Sequence, residues 1–413
     1  MTITEPRPAA PVTGTPVERV AKLADVIRAG GDEAQHLRRA PAATIDALIE
    51  AGLFRFTLPP ELGGDDAGVR ETIEVLEAIS AIDASIGWNV MLGSEINAMA
   101  AGGMDPELAQ EVYLDNPRVV MCGGGGPGSA FGKAVAQPDG SYRVWGQSTF
   151  ISGCHNSEWC FMPAPIFDGD QIRLVNGAPV VRTWFLNRAE WEIVDTWDMA
   201  ALRGSGSHDV KAEGALVPAR FVDVELMKLP ALYPNPVFRI PVPLRLAYNK
   251  AAVGTGVARG ALDSFVELAN HKKPLLSTSL LKDRPGVQMT MGECEALLRA
   301  ARAFMFEAMD AVEAELRAGA PVPSAATTQA ARLACVFAAD SSRRIVDEIH
   351  TTAGTSAARM DSPLERKLRD AHGAASHRWV SRPLYGELGK IFLGDEPGPE
   401  FAGGVAGPVL GGP

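Results

Sequence analysis

Residues 139–159 read DGSYRVWGQSTFISGCHNSEW. Asp139-Gly140 is a turn signal between two alternating segments, KAVAQP (133–138) and SYRVWGQ (141–147), and alternation of period two sends successive side chains to opposite faces of a strand. This is a β-hairpin. Further strand candidates, RLVNGAPVVRTWFL (173–186) and VKAEGALVP (210–218), are separated by Asn-Gly and Gly turns, so β structure runs to about Leu226 as a small barrel or sandwich.

Both flanks of this segment are helical. Upstream, Thr15, Pro16 and Glu18 spell a capping box with proline at the first helical position, followed by Val20, Leu23 and Ile27 on one stripe. A second helix starts near Pro41 and stops at Gly52, and PPELGG (59–64) breaks the chain. Three more helices follow: Val69 to Asp83, Ala84 to Gly102, and Asp105 to Asp115 with Asp105 as N-cap. Downstream of a proline-rich linker, long helices are expected over Leu244–Asn270, Val287–Ala318 and Ser324–Thr352, with shorter ones over Leu364–Trp379 and Leu384–Leu393. Met291, Cys294, Leu298, Ala301, Met305, Met309, Val312 and Leu316 recur at spacings of three and four, which is bundle core rather than a sulfur ligand set. The expected organisation is a tail over 1–14, an N-terminal α-helical domain over 15–116, a central β-barrel over 117–228, a linker over 229–243, a C-terminal four-helix bundle over 244–400 and a Gly/Pro-rich tail over 401–413.

Composition narrows the function. With 39 Lys and Arg against 50 Asp and Glu the net charge is -11, and no block of like charges offers a footprint for nucleic acid. Five cysteines without repeated spacing suggest neither a disulfide framework nor a zinc site, and they fit a reduced cytoplasm. Asn89, Glu95 and Asn97 interrupt the most apolar stretch, Ile86 to Met104, so it reads as a buried helix instead of a membrane span. His155, His208 and His350 make no pair with metal spacing, and Phe150 stands where a hydrolase elbow around Ser152 would need glycine.

Four segments at the joints make a resemblance specific: LPPELGG (58–64), the DGSYRVWGQSTFISGCHNSEW already quoted, WDMAALRGSGSHDVKAEGALVP (197–218) and SPLERKLRDAHGAASH (362–377). Over about residues 15–400 the chain resembles the acyl-CoA dehydrogenase superfamily, an α+β fold. Within it, the chain is similar to the oxygenase components of two-component flavin monooxygenases, a branch whose tail is similar to YGELGKIFLGDEP (385–397).

The resemblance implies a site. A hydroxyl beside a planar cofactor can hydrogen-bond its ring nitrogen, and an aromatic two residues earlier shares its strand face; Ser152 and Phe150 fit, with Ser152 meeting flavin N5. Gly123 and Gly124, in the run Gly123 to Gly126, fall where the family's loop passes the flavin, although such a run also reads as a plain flexible loop. In one common dehydrogenase arrangement a carboxylate lies nine residues after the Arg of RDA; here Arg369, Asp370 and Ala371 supply RDA, and the ninth position is Arg378, which cannot act as a base. Arg369 itself is expected beside the cofactor. His377 stands next to Arg378, and the resemblance gives it contact with the flavin C4a-peroxide or the substrate proton. If the helix persists, Asp370 shares its face at about 700° of rotation and could orient the imidazole, while His372 is the second choice. Trp88 and Leu92 border the substrate pocket by resemblance, although a tryptophan there reads equally as core.

The implied function is an oxygenase that uses reduced flavin, FMN or FAD, and O2 through a C4a-hydroperoxide to hydroxylate or N-oxidise a small organic substrate. A separate NAD(P)H-dependent flavin reductase and a homotetramer are the implied partners. The alternatives are an acyl-CoA dehydrogenase with tightly bound FAD and a catalytically silent helical scaffold. The flavin phosphate has four cations within reach by sequence, Lys272, Lys273, Lys282 and Arg284.

Overall fold

The computed structural model describes residues 13–125, 129–222, 229, 231–398 and 401. Gly126 of the glycine run and most of both expected tails lie outside the described residues. Among the described residues six α-helices come first: α1 (Pro16–Lys22), α2 (Ala24–Leu37), α3 (Ala42–Glu50), α4 (Val69–Ile82), α5 (Ala84–Gly103) and α6 (Pro106–Leu114). The Thr15 box forms as its spelling requires, with Glu18 N–H donating to Thr15 Oγ1 and Thr15 N–H to Glu18 Oε2. Gly52 ends the second expected helix at φ +69°, a left-handed value that costs glycine nothing.

The central unit is a curled mixed sheet built from β1 (Met121–Gly123), β2 (Ala130–Ala136), β3 (Tyr142–Ile151), β4 (Trp159–Asp168), β5 (Gln171–Ile172), β8 (Val181–Asn187), β9 (Glu192–Val194) and β10 (His208–Val217); β6 (Leu174–Val175) and β7 (Ala178–Pro179) pair only with each other. The expected hairpin is β2–β3, closed through Asp139-Gly140. Strand β3 is central, flanked by β2 and β10, and its C-terminal end points at the helices.

Five more α-helices follow among the described residues: α7 (Val242–His271), α8 (Pro285–Arg317), α9 (Ala325–Ala353), α10 (Pro363–Ala375) and α11 (Leu384–Phe392). Helices α7 to α10 pack as a bundle, and α4 lies along α7. The expected helix through Trp379 is too long: α10 ends at Ala375, where the backbone N–H of Ser376 bonds back to the His372 carbonyl and its hydroxyl donates to the same oxygen. A serine hydroxyl that takes the last turn's carbonyl competes with helix continuation.

Two apolar cores meet at α5. One joins α4 to the bundle through Val75, Leu76, Val253, Val257 and Ile345. The other joins the sheet to α6 through Val144, Ile151, Trp184 and Leu108. Ile86 and Val90 of α5 belong to the first and Ile96 and Met99 to the second, so this helix is buried on every side. Its apolar residues therefore run all round it instead of forming a stripe.

Candidate functional site

The end of β3 departs from regular strand geometry. Phe150 takes φ +60°, and Ser152 lies past the strand in a turn whose next residue, Gly153, takes φ +73°. The expectation that Phe150 and Ser152 share a strand face is therefore corrected: a left-handed residue breaks the two-residue alternation. It turns the Phe150 ring outward, half exposed, edge-on to buried Trp197 at 5.8 Å between centroids. Ser152 turns inward, where its Oγ accepts a hydrogen bond from Trp88 Nε1–H at 3.1 Å.

The Ser152 hydroxyl begins a chain of three. Its Oγ is 2.7 Å from Ser207 Oγ, which is 2.7 Å from Ser205 Oγ. The turn carrying these serines is pinned on α5: Gly204 N–H donates to Ser85 Oγ, Asn89 Nδ2 donates to the Gly204 carbonyl, and a Cβ on Gly204 would strike Ala34 and Ser85. Gly153 N–H donates to the Ser205 carbonyl at 2.9 Å, tying the two turns together.

Across Trp88 stands His377. The rings are 5.7 Å apart between centroids and inclined by 60°. His377 lies in the turn after α10, where its Nδ1 accepts from Trp379 N–H at 3.4 Å, which leaves the ring proton on Nε2. Burial, then the Lys250 ammonium and the Arg378 guanidinium, push its pKa down to about 3. The imidazole is neutral and presents a donor. Lys250 is itself buried and held by Glu95 of α5, with Nζ 2.6 Å from Oε1, while Asn249 Nδ2 donates to Oε2 at 2.7 Å. Burial pulls the Lys250 ammonium below the usual lysine range against the attraction of Glu95.

Several expectations are redrawn by the early end of α10. Asp370 does not orient His377. Its Oδ1 accepts from Leu202 N–H at 2.6 Å, and burial, with Asp83 nearby, raises its carboxyl to about 7. Arg369 is taken by both carboxylate oxygens of Glu365, at 2.7 and 2.8 Å, and by the Ala200 carbonyl, so it braces the loop leading to Ser205. His372 is exposed and paired with Asp347 at 2.8 Å. Arg378 lies over the Trp379 ring at 4.8 Å. Leu92 sits half-buried where the two cores meet. Lys272 Nζ donates to the Ala353 carbonyl and Lys282 Nζ to Asn270 Oδ1.

Gly123 and Gly124 have φ of +146° and +123°. A Cβ on Gly123 would collide with Phe161, whereas one on Gly124 meets nothing within 4 Å, so Gly124 borders open space. The half-exposed Phe150 ring on Trp197, with the Ser152 hydroxyl two residues on, suits a planar ring with a polar edge. Sequence reasoning missed Trp197, Ser205, Ser207, Glu95 and Lys250. The RGSGS stretch (203–207) carried the signal for the two serines, which become adjacent to Ser152 only through folding. Among the described residues no cluster of His, Cys, Asp and Glu is placed to hold a metal ion, and no helix is long and apolar enough to cross a membrane.

Comparison with known proteins bears on the fold that carries these residues. Residues 18–107 match the acyl-CoA dehydrogenase N-terminal domain and residues 248–382 the acyl-CoA dehydrogenase C-terminal domain, together more than half of the chain. The indole-3-acetate monooxygenase of Pseudomonas putida is 29% identical, covering 90% of each chain. The FADH2-dependent resorcinol hydroxylase oxygenase component of Rhizobium sp. is 28% identical, covering 92% of this chain and 94% of its own. XiaF from Streptomyces sp., solved with FADH2 and glycerol, superposes with a TM-score of 0.82 at 25% identity, over 92% of this chain and 96% of that one.

Proposed function

The chain belongs to the acyl-CoA dehydrogenase family, and from that premise we propose that it is the oxygenase component of a two-component flavin monooxygenase, acting on a small organic substrate. The observation that carries this reading is the Trp88 indole, which spans from the Ser152 hydroxyl to a neutral His377. Bound reduced flavin, FMN or FAD, supplies the electron pair that activates O2.

The remaining roles are those of this chain's own residues. Phe150 and Trp197 offer the flat ring an apolar wall, Gly123 and Gly124 let backbone approach it, and Ser152 holds its N5 edge. His377 presents Nε2–H to the reacting oxygen. A ring held near pKa 3 is a poor proton acceptor at neutral pH, which favours a hydrogen bond donated from Nε2–H over removal of a substrate proton. Trp88 and Leu92 line the substrate side and exclude water from it.

A dehydrogenase would need a carboxylate at the substrate α-carbon; the position nine residues after the RDA arginine is the cationic Arg378, Glu365 is taken by Arg369, Glu387 by Lys390 and Gly398 N–H, and Glu95 by Lys250 and Asn249. The sequence carries no nicotinamide-binding fingerprint, so a separate reductase delivers the reduced flavin. Leu275, Leu276, Met360, Phe392 and Leu393, in the connections and last helix of the C-terminal unit, are all more than two-thirds exposed, and exposed apolar side chains there support self-association as a homotetramer. The five cysteines are free thiols, which supports a reducing compartment, the cytoplasm.

Anaerobic titration with FMN and FAD, each oxidised and reduced, tests the assignment. Reduced flavin should bind, and aerobic turnover with a reductase should give oxygenated product. A protein that binds neither form of either flavin is a scaffold, and one whose bound oxidised flavin is reduced by an acyl-CoA is a dehydrogenase.

A further inference from the structure

Helix α10 grips one short segment at three successive residues. Arg369 Nη1 donates to the Ala200 carbonyl, Gly373 makes room for Ala201, since a Cβ there would lie 2.6 Å from the Ala201 methyl, and Asp370 Oδ1 accepts from Leu202 N–H at 2.6 Å. The last of these bonds lands on a strained backbone. Leu202 takes φ +48°, a left-handed value at which its Cβ crowds the following carbonyl, and it is 6% exposed, where an amide without a partner is costly. Asp370 is itself 1% exposed, and its carboxyl is the acceptor that keeps this turn satisfied.

From Leu202 a run of backbone bonds reaches Ser152. Ser205 N–H donates to the Leu202 carbonyl at 2.9 Å, Gly153 N–H donates to the Ser205 carbonyl at 2.9 Å, and Gly153 directly follows Ser152. The Gly204 part of the turn is pinned on α5 by Ser85 and Asn89, so Asp370 is the tie of the same turn to α10. That helix ends at Ala375, just before His377. We propose that Asp370 is a positioning residue for the flavin edge: by holding Leu202 left-handed it fixes Ser205 and Gly153, and through them sets the Ser152 hydroxyl against His377. The proposal rests on the reading that Ser152 meets N5.

The charged neighbours of Asp370 are occupied elsewhere. Lys367 Nζ donates to the Ala81 carbonyl, Arg366 pairs with Asp32 and Asp83, and Arg369 pairs with Glu365. Among the described residues none of the three forms an ion pair with Asp370, so removing its carboxyl strands the Leu202 N–H and no paired cation. An amide stranded in this way regains a partner by unwinding the turn toward ordinary negative φ. That movement carries the Ser205 carbonyl away from Gly153 and lets Ser152 drift from the ring, while the Ser376 bonds that end α10 before His377 are untouched.

The test is the affinity of the whole protein for reduced FMN or FAD, measured anaerobically by the absorbance change on binding, with the melting temperature measured beside it. Asp370→Ala should weaken binding about three- to tenfold, the loss of one hydrogen bond to the ring, and no more than Ser152→Ala does. Asp370→Asn, whose side-chain oxygen still accepts from Leu202, should bind within about twofold of the parent. In a Ser152→Ala background Asp370→Ala should weaken binding no further, although it still lowers the melting temperature, because its influence on the flavin passes through Ser152. Should Asp370→Ala fail to fold, Asp370→Ser, whose hydroxyl is one bond too short to reach Leu202, carries the same expectations. Parental affinity in the variant that folds, or an equal loss in both backgrounds, overturns the positioning role and leaves the N5 assignment standing. If Ser152→Ala itself binds as the parent does, the N5 assignment fails and the proposal with it.

Discussion

Trp88 and His377 meet ring to ring, 5.7 Å between centroids, although they lie on α5 and in the turn after α10, at opposite ends of the chain. The same indole donates to Ser152 at the tip of β3. One tryptophan thus joins the N-terminal helices, the sheet and the bundle at a single point, and each proposed role depends on that junction.

His377→Ala should leave flavin affinity and melting temperature close to parental while product formation falls about 10²- to 10³-fold, the usual range for loss of one positioned hydrogen-bond donor. Reduced flavin should then be consumed with hydrogen peroxide as the product. His372→Ala loses only an exposed pair with Asp347 and should retain most of the activity. Oxygen consumption and peroxide, each measured per mole of product, separate the two variants. Parental coupling in His377→Ala would remove the histidine from the chemistry.

Trp88→Phe keeps an aromatic ring against His377 and deletes the N–H that Ser152 accepts, so it should fold and bind flavin with altered strength. Trp88→Ala opens a cavity where the side chain is 6% exposed and should cost about 3–5 kcal/mol. Denaturant unfolding compared with flavin titration distinguishes the two losses. Equal stability of the alanine variant would mean that the indole is not packed as described.

The helices and the central hairpin were legible because their signals are local. Thr15 and Glu18 cap each other three residues apart, and Asp139-Gly140 sits between two alternating runs. The site was legible only in part. Ser152 and His377 stand in recognisable segments, but the left-handed turn at Phe150 and the end of α10 at Ala375 are set by what those residues pack against. The expectation that Asp370 faces His377 failed for that reason: seven residues share a face only while the helix lasts. Ser207 is 55 residues from Ser152, and no spacing rule connects two residues joined only by neighbouring turns.

The low pKa of His377 makes a statement about pH. In the unfolded chain a histidine titrates near 6.5, and in the fold this one is pushed down to about 3, with His155 down to about 4 for the same reason, burial. Between those values the unfolded chain binds more protons, so stability is fully present above about pH 6.5 and is lost as pH falls toward 3. Asp370, raised to about 7, acts with the opposite sign: its contribution is full below the ordinary carboxylate range and is lost as pH rises through 7. His377→Gln should therefore flatten the melting-temperature profile between pH 6.5 and 4 without altering it above pH 7. An unchanged acid limb would show that this ring is not held neutral.

The pair that helps to hold it neutral can be tested separately. Glu95 and Lys250 are 0% and 1% exposed at their side chains and touch at 2.6 Å, with Asn249 as the second partner of the carboxylate. A buried pair of this kind is worth little against apolar replacements of similar size, but removing one member strands a charge, at about 3–5 kcal/mol. Lys250→Met should be strongly destabilised for that reason, and Glu95→Gln less so, because a glutamine oxygen can still accept from Asn249. The double variant Glu95→Gln, Lys250→Met should recover much of the loss. It should also release His377 from a cationic neighbour, so the imidazole pKa moves upward toward its ordinary value and the acid limb of the melting profile becomes shallower. An imidazole titration followed by NMR in the double variant reads this directly. If the ring titrates where it does in the parent while the double variant folds, Lys250 plays no part in setting its charge, and burial and Arg378 alone suffice.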